Sequence, residues 1–112
     1  MKIFNYSDVE LKDGLRWLIR GPHFDMRMGE LGPFEKTYHG PHVHPWEHEV
    51  YIIEGNGDIW DGEERRSFEE GDVIYIPSGE PHTFINTSEK ILRFICCIPA
   101  DVDLNQIMTA GH

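Results

Sequence analysis

Basic residues are scarce in this chain: 10 lysines and arginines stand against 20 aspartates and glutamates, a formal net charge of −10. A nucleic-acid surface needs a basic patch to neutralise phosphates, so a nucleic-acid partner is not expected. The same charge argues against binding to anionic membranes and reads most simply as solubility. Long apolar runs are missing too, and no stretch approaches the roughly 20 residues of a membrane span. The opening MKIFNYSDVE has no basic region followed by an apolar block. No secretion signal is therefore expected, and a cytoplasmic protein is the default. Cysteine is limited to two adjacent residues, Cys96 and Cys97. Neighbours on a strand point to opposite faces, so a bridge between them would be strained, and the pair fits a reducing compartment.

Helical periodicity is nearly absent, as are linkers, low-complexity tracts and repeats. With 112 residues the chain suits a single domain, 1–112. Short runs rich in β-branched and aromatic residues alternate with Gly, Pro, Asp and Asn clusters. LRWLIR (15–20) and FDMRMGEL (24–31) read as strands stopped by Gly21-Pro22 and Gly32-Pro33. EVYIIEG (49–55) follows, then two strands at about 57–61 and 64–68 with a hairpin signal at Asp61-Gly62. DVIYIP (72–77), PHTFIN (81–86) and KILRFICCIP (90–99) complete the set. Strands about ten residues apart with turn residues between them predict an all-β barrel or sandwich. The tail DVDLNQIMTAGH fits either a short helical turn or a frayed end.

Seven histidines are present, and three of them fall within GPHVHPWEHEVYIIEG, at positions 42, 44 and 48. On a strand, residues i and i+2 share a face, so His42 and His44 project together with Val43 opposite. His48 keeps the same parity unless Pro45 breaks the strand. Imidazole is the commonest metal donor, and two or three on one face can hold a transition metal. An HxH alone is more often a surface pair or a satisfied core histidine.

A second motif changes that balance. Gly71, five residues, Pro77-Ser78-Gly79, two residues, His82, three residues and Asn86 spell G(X)5PxG(X)2H(X)3N. Here the sequence resembles the cupin superfamily, which pairs this motif (about 71–86) with G(X)5HxH(X)3–4E(X)6G (about 40–55). The first motif matches at His42, His44 and Gly55, while Lys36 stands in place of its opening glycine. His48 occupies the glutamate position reached after three spacers, and six residues then lead to Gly55. A register with four spacers would make Glu49 the acidic ligand. It leaves five residues before Gly55 and turns Glu49 away from His42 and His44, so spacing and parity favour His48. Glu47 and Glu49 then flank His48 on the outer face, as solvent or interface residues or as partners orienting an imidazole.

HxHPWEHE with a later PHTF and a strand ending CCIP is similar to small, single-domain, all-histidine cupins. The resemblance covers about residues 24–99. It implies a double-stranded β-helix (the cupin jelly-roll barrel), a homodimer, and one divalent transition metal on His42, His44, His48 and His82. Manganese or iron is favoured, with nickel, copper or zinc open. The apolar LRWLI stretch gives the dimer secondary support as a strand able to cross to a neighbour. For His23, His39 and His112 a non-ligand role is expected.

Four neutral ligands would leave a divalent ion its full charge, drawing anionic or enolate-like ligands to the open positions and acidifying a bound water. Donors must be neutral, so metal loss is expected as the pH falls well below about 6. With Arg93 outward, Leu92, Phe94, Cys96 and Ile98 point inward. Phe84 accompanies His82, and Val50 and Ile52 accompany His48. A substrate wall of Phe84, Phe94, Cys96, Ile98 and Ile52 suits a small apolar or aromatic molecule, although any one of them also suits simple core filling. Cys96 is either an oxidisable thiol or a small hydrophobe. Arg27 is expected near the cavity mouth, holding a substrate carboxylate or forming a surface salt bridge. Pro45 fixes the backbone between ligand pairs, Trp46 caps the pocket or packs at a subunit contact, and Trp17 and Trp60 belong to core or interface.

Catalytic residues are not identifiable. A metal-dependent oxygenase-type enzyme, or a related lyase or isomerase, stands beside a non-catalytic ligand-binding or sensing barrel. A purely structural metal is the third option, weaker because such sites usually recruit cysteine.

Overall fold

Alternating side chains and frequent turn residues yield ten strands in the computed structural model, which describes residues 1–110. They are β1 (Leu15–Arg20), β2 (Phe24–Leu31), β3 (His42–Val43), β4 (His48–Glu54), β5 (Gly57–Trp60), β6 (Arg65–Phe68), β7 (Val73–Ile76), β8 (Thr83–Asn86), β9 (Leu92–Pro99) and β10 (Met108–Thr109). Helical structure among the described residues is limited to three 3-10 turns, at Tyr6–Asp8, Thr37–His39 and Leu104–Gln106. Among the described residues, no helix is long and apolar enough to cross a membrane.

One sheet runs β1-β2-β9-β4-β7, all antiparallel. Opposite it lie β6-β5-β8 and the pair β10-β3, joined by a bridge between His42 and His82. Two facing sheets of this kind make the all-β double-stranded β-helix expected from the motifs. The inward faces of both sheets supply the core, which includes Leu31, Val50, Ile52, Phe68, Ile76, Phe84, Leu92, Phe94 and Ile98. Burying each such side chain contributes about 1.5–3 kcal/mol.

Motif glycines mark places where a side chain cannot go. Gly55 has φ +89°, and a Cβ there would stand 2.7 Å from the Ile91 carbonyl oxygen. The register of β4 on β9 shifts between Ile52 and Glu54, just before that glycine. Asn86 ends the second motif and is fully buried. Its Nδ2 donates to the carbonyls of Leu31, Gly32 and Lys90 at 3.1, 2.9 and 2.7 Å, and its Oδ1 accepts from the Ser88 N–H at 3.0 Å. One amide thus gathers the carbonyls at the end of β2, just after it and just before β9.

The tail is neither frayed nor simply helical. After the turn at Leu104–Gln106, Met108 and Thr109 pair with Val43 and His42, and Ala110 N–H donates to the Pro41 carbonyl at 3.1 Å. His112 lies outside the described residues. β1 pairs with β2 of the same chain. As the alternation requires, Cys96 is buried, Cys97 is half-buried on the opposite face, and both are free.

Candidate metal centre

Three short segments deliver the histidines: His42 and His44 beside β3, His82 bridged to His42 just before β8, and His48 from β4 in the opposite sheet. β3 presents His42 inward, and buried His44 follows the strand's end on the same side, with Val43 between them and Pro45, which cannot donate a ladder hydrogen bond, just beyond. The strand therefore does break. His48 still faces inward because it opens β4 in the other sheet, where His48, Val50 and Ile52 alternate with exposed Glu49, Tyr51 and Ile53. Glu49 faces away, which removes the carboxylate register. Glu47 accepts from the Tyr75 hydroxyl at 2.9 Å and touches no imidazole.

All four rings are buried. Ligand atoms of His42, His44 and His82 lie within 4.8 Å of one another. Ring centroids stand 4.3 Å apart for His42–His82, 5.1 Å for His44–His82 and 5.7 Å for His42–His44. His48 falls outside that three-histidine cluster but closes on it: its Nε2 is 2.7 Å from the His44 Nε2, and its ring is 4.9 Å from that of His82.

The rings are neutral. Burial lowers His42 to about 3, His44 to about 4 and His48 to about 2, each further depressed by repulsion from His82. Burial lowers His82 as well. His42 Nδ1, His44 Nδ1 and His82 Nε2 have no hydrogen-bond partner despite their burial. The His82 Nδ1 lies 2.8 Å from the Glu80 carbonyl oxygen, which can only accept, so the proton sits on Nδ1 and the Nε2 lone pair points into the cluster. Buried, neutral, unpartnered nitrogens are what a cation requires of its donors. Nitrogens about 2.1 Å from a shared ion stand about 3–4 Å from one another, so the spacing here fits a divalent transition metal.

The rings are held by what surrounds them. Trp46 is buried and stacks on His44 at 4.1 Å and 12°. Tyr38 leans over His42 at 4.4 Å, from a turn tied to β8 by the Thr83 hydroxyl donating to the Thr37 carbonyl at 2.7 Å. His48 Nδ1 lies 2.8 Å from Cys96 Sγ and 3.5 Å from Arg27 Nη2, and Arg27 Nη2 donates to that sulfur at 3.2 Å. Burial raises the Cys96 thiol against the pull of Arg27.

A cavity of about 920 Å³ opens from His42, His48 and His82. Phe84, Phe94 and Cys96, expected in its wall, line it, and so does Arg27. Phe84 and Phe94 stack at 4.6 Å. Ile52 and Ile98 point inward as expected but do not border the cavity; they pack in the closed core. Arg27 is also corrected. It is not at the mouth but 5% exposed on the inward face of β2, opposite Cys96, and it makes no surface salt bridge. Trp17 carries Arg20 on its ring at 3.9 Å and Arg27 at 5.1 Å, while half-buried Trp60 lies under Arg65. His39 is exposed at the rim and His23 is exposed in a loop. Sequence reasoning misses the Trp46 stack, the closing role of Asn86 and the Arg27–Cys96–His48 chain. The fixed spacing of Trp46 from His44 is the one signal in the sequence that hints at any of them.

A family model described as "Cupin domain" matches residues 28–98. Among solved structures, the polyketide cyclase RemF from Streptomyces resistomycificus is 28% identical with a TM-score of 0.85, covering 100% of this chain and 87% of that one. A cupin-2 domain protein from Rhodospirillum rubrum has a TM-score of 0.82 at 20% identity, covering 99% of this chain and 81% of its own, and so shares the fold. Among curated sequences, an uncharacterized Aquifex aeolicus protein is 38% identical over 58 residues, 50% of this chain and 47% of its own length. An uncharacterized protein of Methanocaldococcus jannaschii is 37% identical over 57 residues, 50% of this chain and 46% of its own. The matches thus span about half the length of these curated relatives.

Proposed function

This chain belongs to the cupin family, and on that premise we propose that His42, His44, His48 and His82 hold one divalent transition metal at which a small apolar or aromatic molecule is transformed. The observation that carries the reading is the clustering of four buried neutral imidazoles, three of which (His42, His48 and His82) border one largely apolar cavity. Manganese or iron is the favoured occupant. When bound, such an ion supplies an electrophilic and redox-active centre suited to oxygenase-type chemistry.

The protein's own part is to bind, orient and exclude water. Phe84 and Phe94 offer a flat apolar surface beside His82. Trp46 and the Glu80 carbonyl fix the ring planes of His44 and His82. Glu30 borders the cavity but is committed to Arg16 at 2.9 Å and Arg93 at 3.2 Å, and although burial opposes it, those partners lower its pKa. It is therefore poorly placed to move protons, which favours chemistry centred on the ion.

A second reading is cyclisation or a related non-oxidative step, favoured by the 28% identity over the whole chain to a protein described as a polyketide cyclase. Oxygen uptake with a panel of phenolic and alkene substrates, metal-loaded against metal-free, separates the two. Metal-dependent uptake supports the oxygenase, product without uptake the cyclase or lyase, and binding without turnover a ligand-binding role.

We also propose that two copies pair through the outer face of β4 and β7. Tyr51, Ile53, Val73 and Tyr75 are exposed there, Val73 by 76% and Tyr75 by 59%. Light scattering on Val73→Lys tests this: a dimer that becomes a monomer is expected, and an unchanged mass rejects that face.

A further inference from the structure

We propose that the cavity takes its ligand as an anion, a small carboxylate with a flat apolar body, bound by Arg27 beside the metal. The inference deepens the metal-site reading and rests on it for the ligand's orientation, but the arginine contact stands on its own geometry. Arg27 is 5% exposed and lines the cavity. Among the described residues, no carboxylate lies within 4.0 Å of it to form a salt bridge. Its Nε is buried without any partner, and its one hydrogen-bond acceptor is a thiol sulfur at 3.2 Å, with the His48 Nδ1 standing 3.5 Å away. A buried guanidinium left this way is costly unless an anion completes it.

The surroundings raise the positive potential rather than neutralise it. Arg20 and Arg27 share the Trp17 ring, at 3.9 and 5.1 Å. The four imidazoles are neutral, so a divalent ion among them would keep its charge. Glu30, the acidic group of β2 at the cavity, is balanced by Arg16 and Arg93. Lys12, Arg20 and Lys36 at the rim stand against Glu10, Asp13 and Glu35. An overall charge of −10 thus encloses a cationic interior. The guanidinium fork matches a carboxylate in two parallel hydrogen bonds, and the stacked Phe84 and Phe94 match a flat body.

The test uses benzoate and salicylate against their neutral isosteres benzamide and salicylamide, titrated calorimetrically into metal-loaded and metal-free protein. Elemental analysis of each sample supplies the metal content. Wild type should bind the carboxylates about tenfold or more tighter than the amides. Arg27→Met should lose that preference while keeping its metal, and Arg27→Lys should keep part of it. Amides binding as well as carboxylates, no binding by any probe, or a preference that survives in Arg27→Met would each overturn the proposal. Should Arg27→Met not fold, the wild-type discrimination and Arg27→Lys decide. A carboxylate preference in protein that never takes up metal sinks the metal reading alone, and full metal loading without the preference sinks this one alone.

Discussion

His42 and His82 exchange both of their backbone hydrogen bonds, the His42 N–H donating to the His82 carbonyl at 3.0 Å and the His82 N–H to the His42 carbonyl at 3.1 Å. That single antiparallel pair joins the two sequence motifs, and side chains at such a pair emerge on the same face. It also closes β3 onto β8, completing the sheet opposite β4. Strand pairing thus brings the His42 and His82 rings side by side, with centroids 4.3 Å apart.

A cluster of buried, neutral, partly unpartnered imidazoles has a stability signature. Each buried orphan nitrogen costs about 1–3 kcal/mol without its ligand. We predict that His42→Leu or His82→Leu leaves the metal-free fold as stable as wild type or about 1 kcal/mol more stable, since the backbone pair persists and the orphan is gone. Both variants should lose metal loading and the rise in melting temperature that metal gives wild type. Thermal melts with and without manganese check it; a metal-free variant much less stable than wild type would show that the rings serve packing first.

Most strands are legible in the sequence because their alternation is strong and their turns are punctuated. β3 and β10 are not: two-residue strands carry no periodicity, and backbone bonds to a distant segment hold them. Parity tells which way Arg27, Ile52 and Ile98 point, and all three do point inward. It does not tell how deep each sits or whether open volume lies before it. Arg27 between Met26 and Met28 has the pattern of a charged position on an amphipathic strand, and only its register opposite Cys96 reveals that it is enclosed. For His48 the parity holds although the strand does not continue through Pro45, because a second strand in the other sheet restores the inward direction.

Acid should destabilise the metal-free protein through the same imidazoles. Burial holds His42 at about 3, His44 at about 4 and His48 at about 2, and lowers His82, whereas an unfolded histidine titrates near about 6.5. Protons therefore bind the unfolded chain first. Stability is full above about pH 6.5 and is lost as the pH falls toward about 4, by up to about 1.4 kcal/mol per pH unit for each histidine. Denaturant midpoints of metal-free protein should be flat from about pH 7 to 8 and fall steadily below about 6; midpoints unchanged down to about pH 4.5 would contradict it.

Asn86 anchors the second motif from within. Asn86→Ala strips the amide donor from three carbonyls, those of Leu31, Gly32 and Lys90, so a loss of about 2–4 kcal/mol is expected. Asn86→Asp should cost at least as much, because a carboxylate cannot donate to them. Urea melts give the loss directly, and a cost below about 0.5 kcal/mol would assign the carbonyls to solvent instead.

Gly29 makes room for Phe94 in the cavity wall. A Cβ there would lie 2.3 Å from Cζ of Phe94, so Gly29→Ala must displace the ring that stacks on Phe84. Overpacking of this kind costs about 1–3 kcal/mol. Affinity for flat ligands should fall while metal content holds, because the displaced ring is not among the metal donors. Gly29→Ala combined with Phe94→Leu should recover part of the stability, and a failure to do so would place the strain elsewhere.

Cys96 is placed to settle which nitrogen of His48 faces the cluster. Only a lone pair on Nε2 can serve an ion there, and that puts the ring proton on Nδ1, 2.8 Å from the sulfur. Arg27 donates to the same sulfur at 3.2 Å, so the sulfur is held as an acceptor between two donors. Without it, the Nδ1 proton loses its partner and the ring is free to carry its proton on Nε2, directed at His44. Cys96→Ala should therefore weaken metal binding by about 10–100-fold, the cost usual for losing a group that orients a ligand. Cys96→Ser, which keeps an acceptor, should weaken it less. Competition against a chelator measures both, with the fold checked by circular dichroism. Equal affinities for wild type and Cys96→Ala would mean that β4 alone orients His48 and that the thiol fills space as an ordinary hydrophobe.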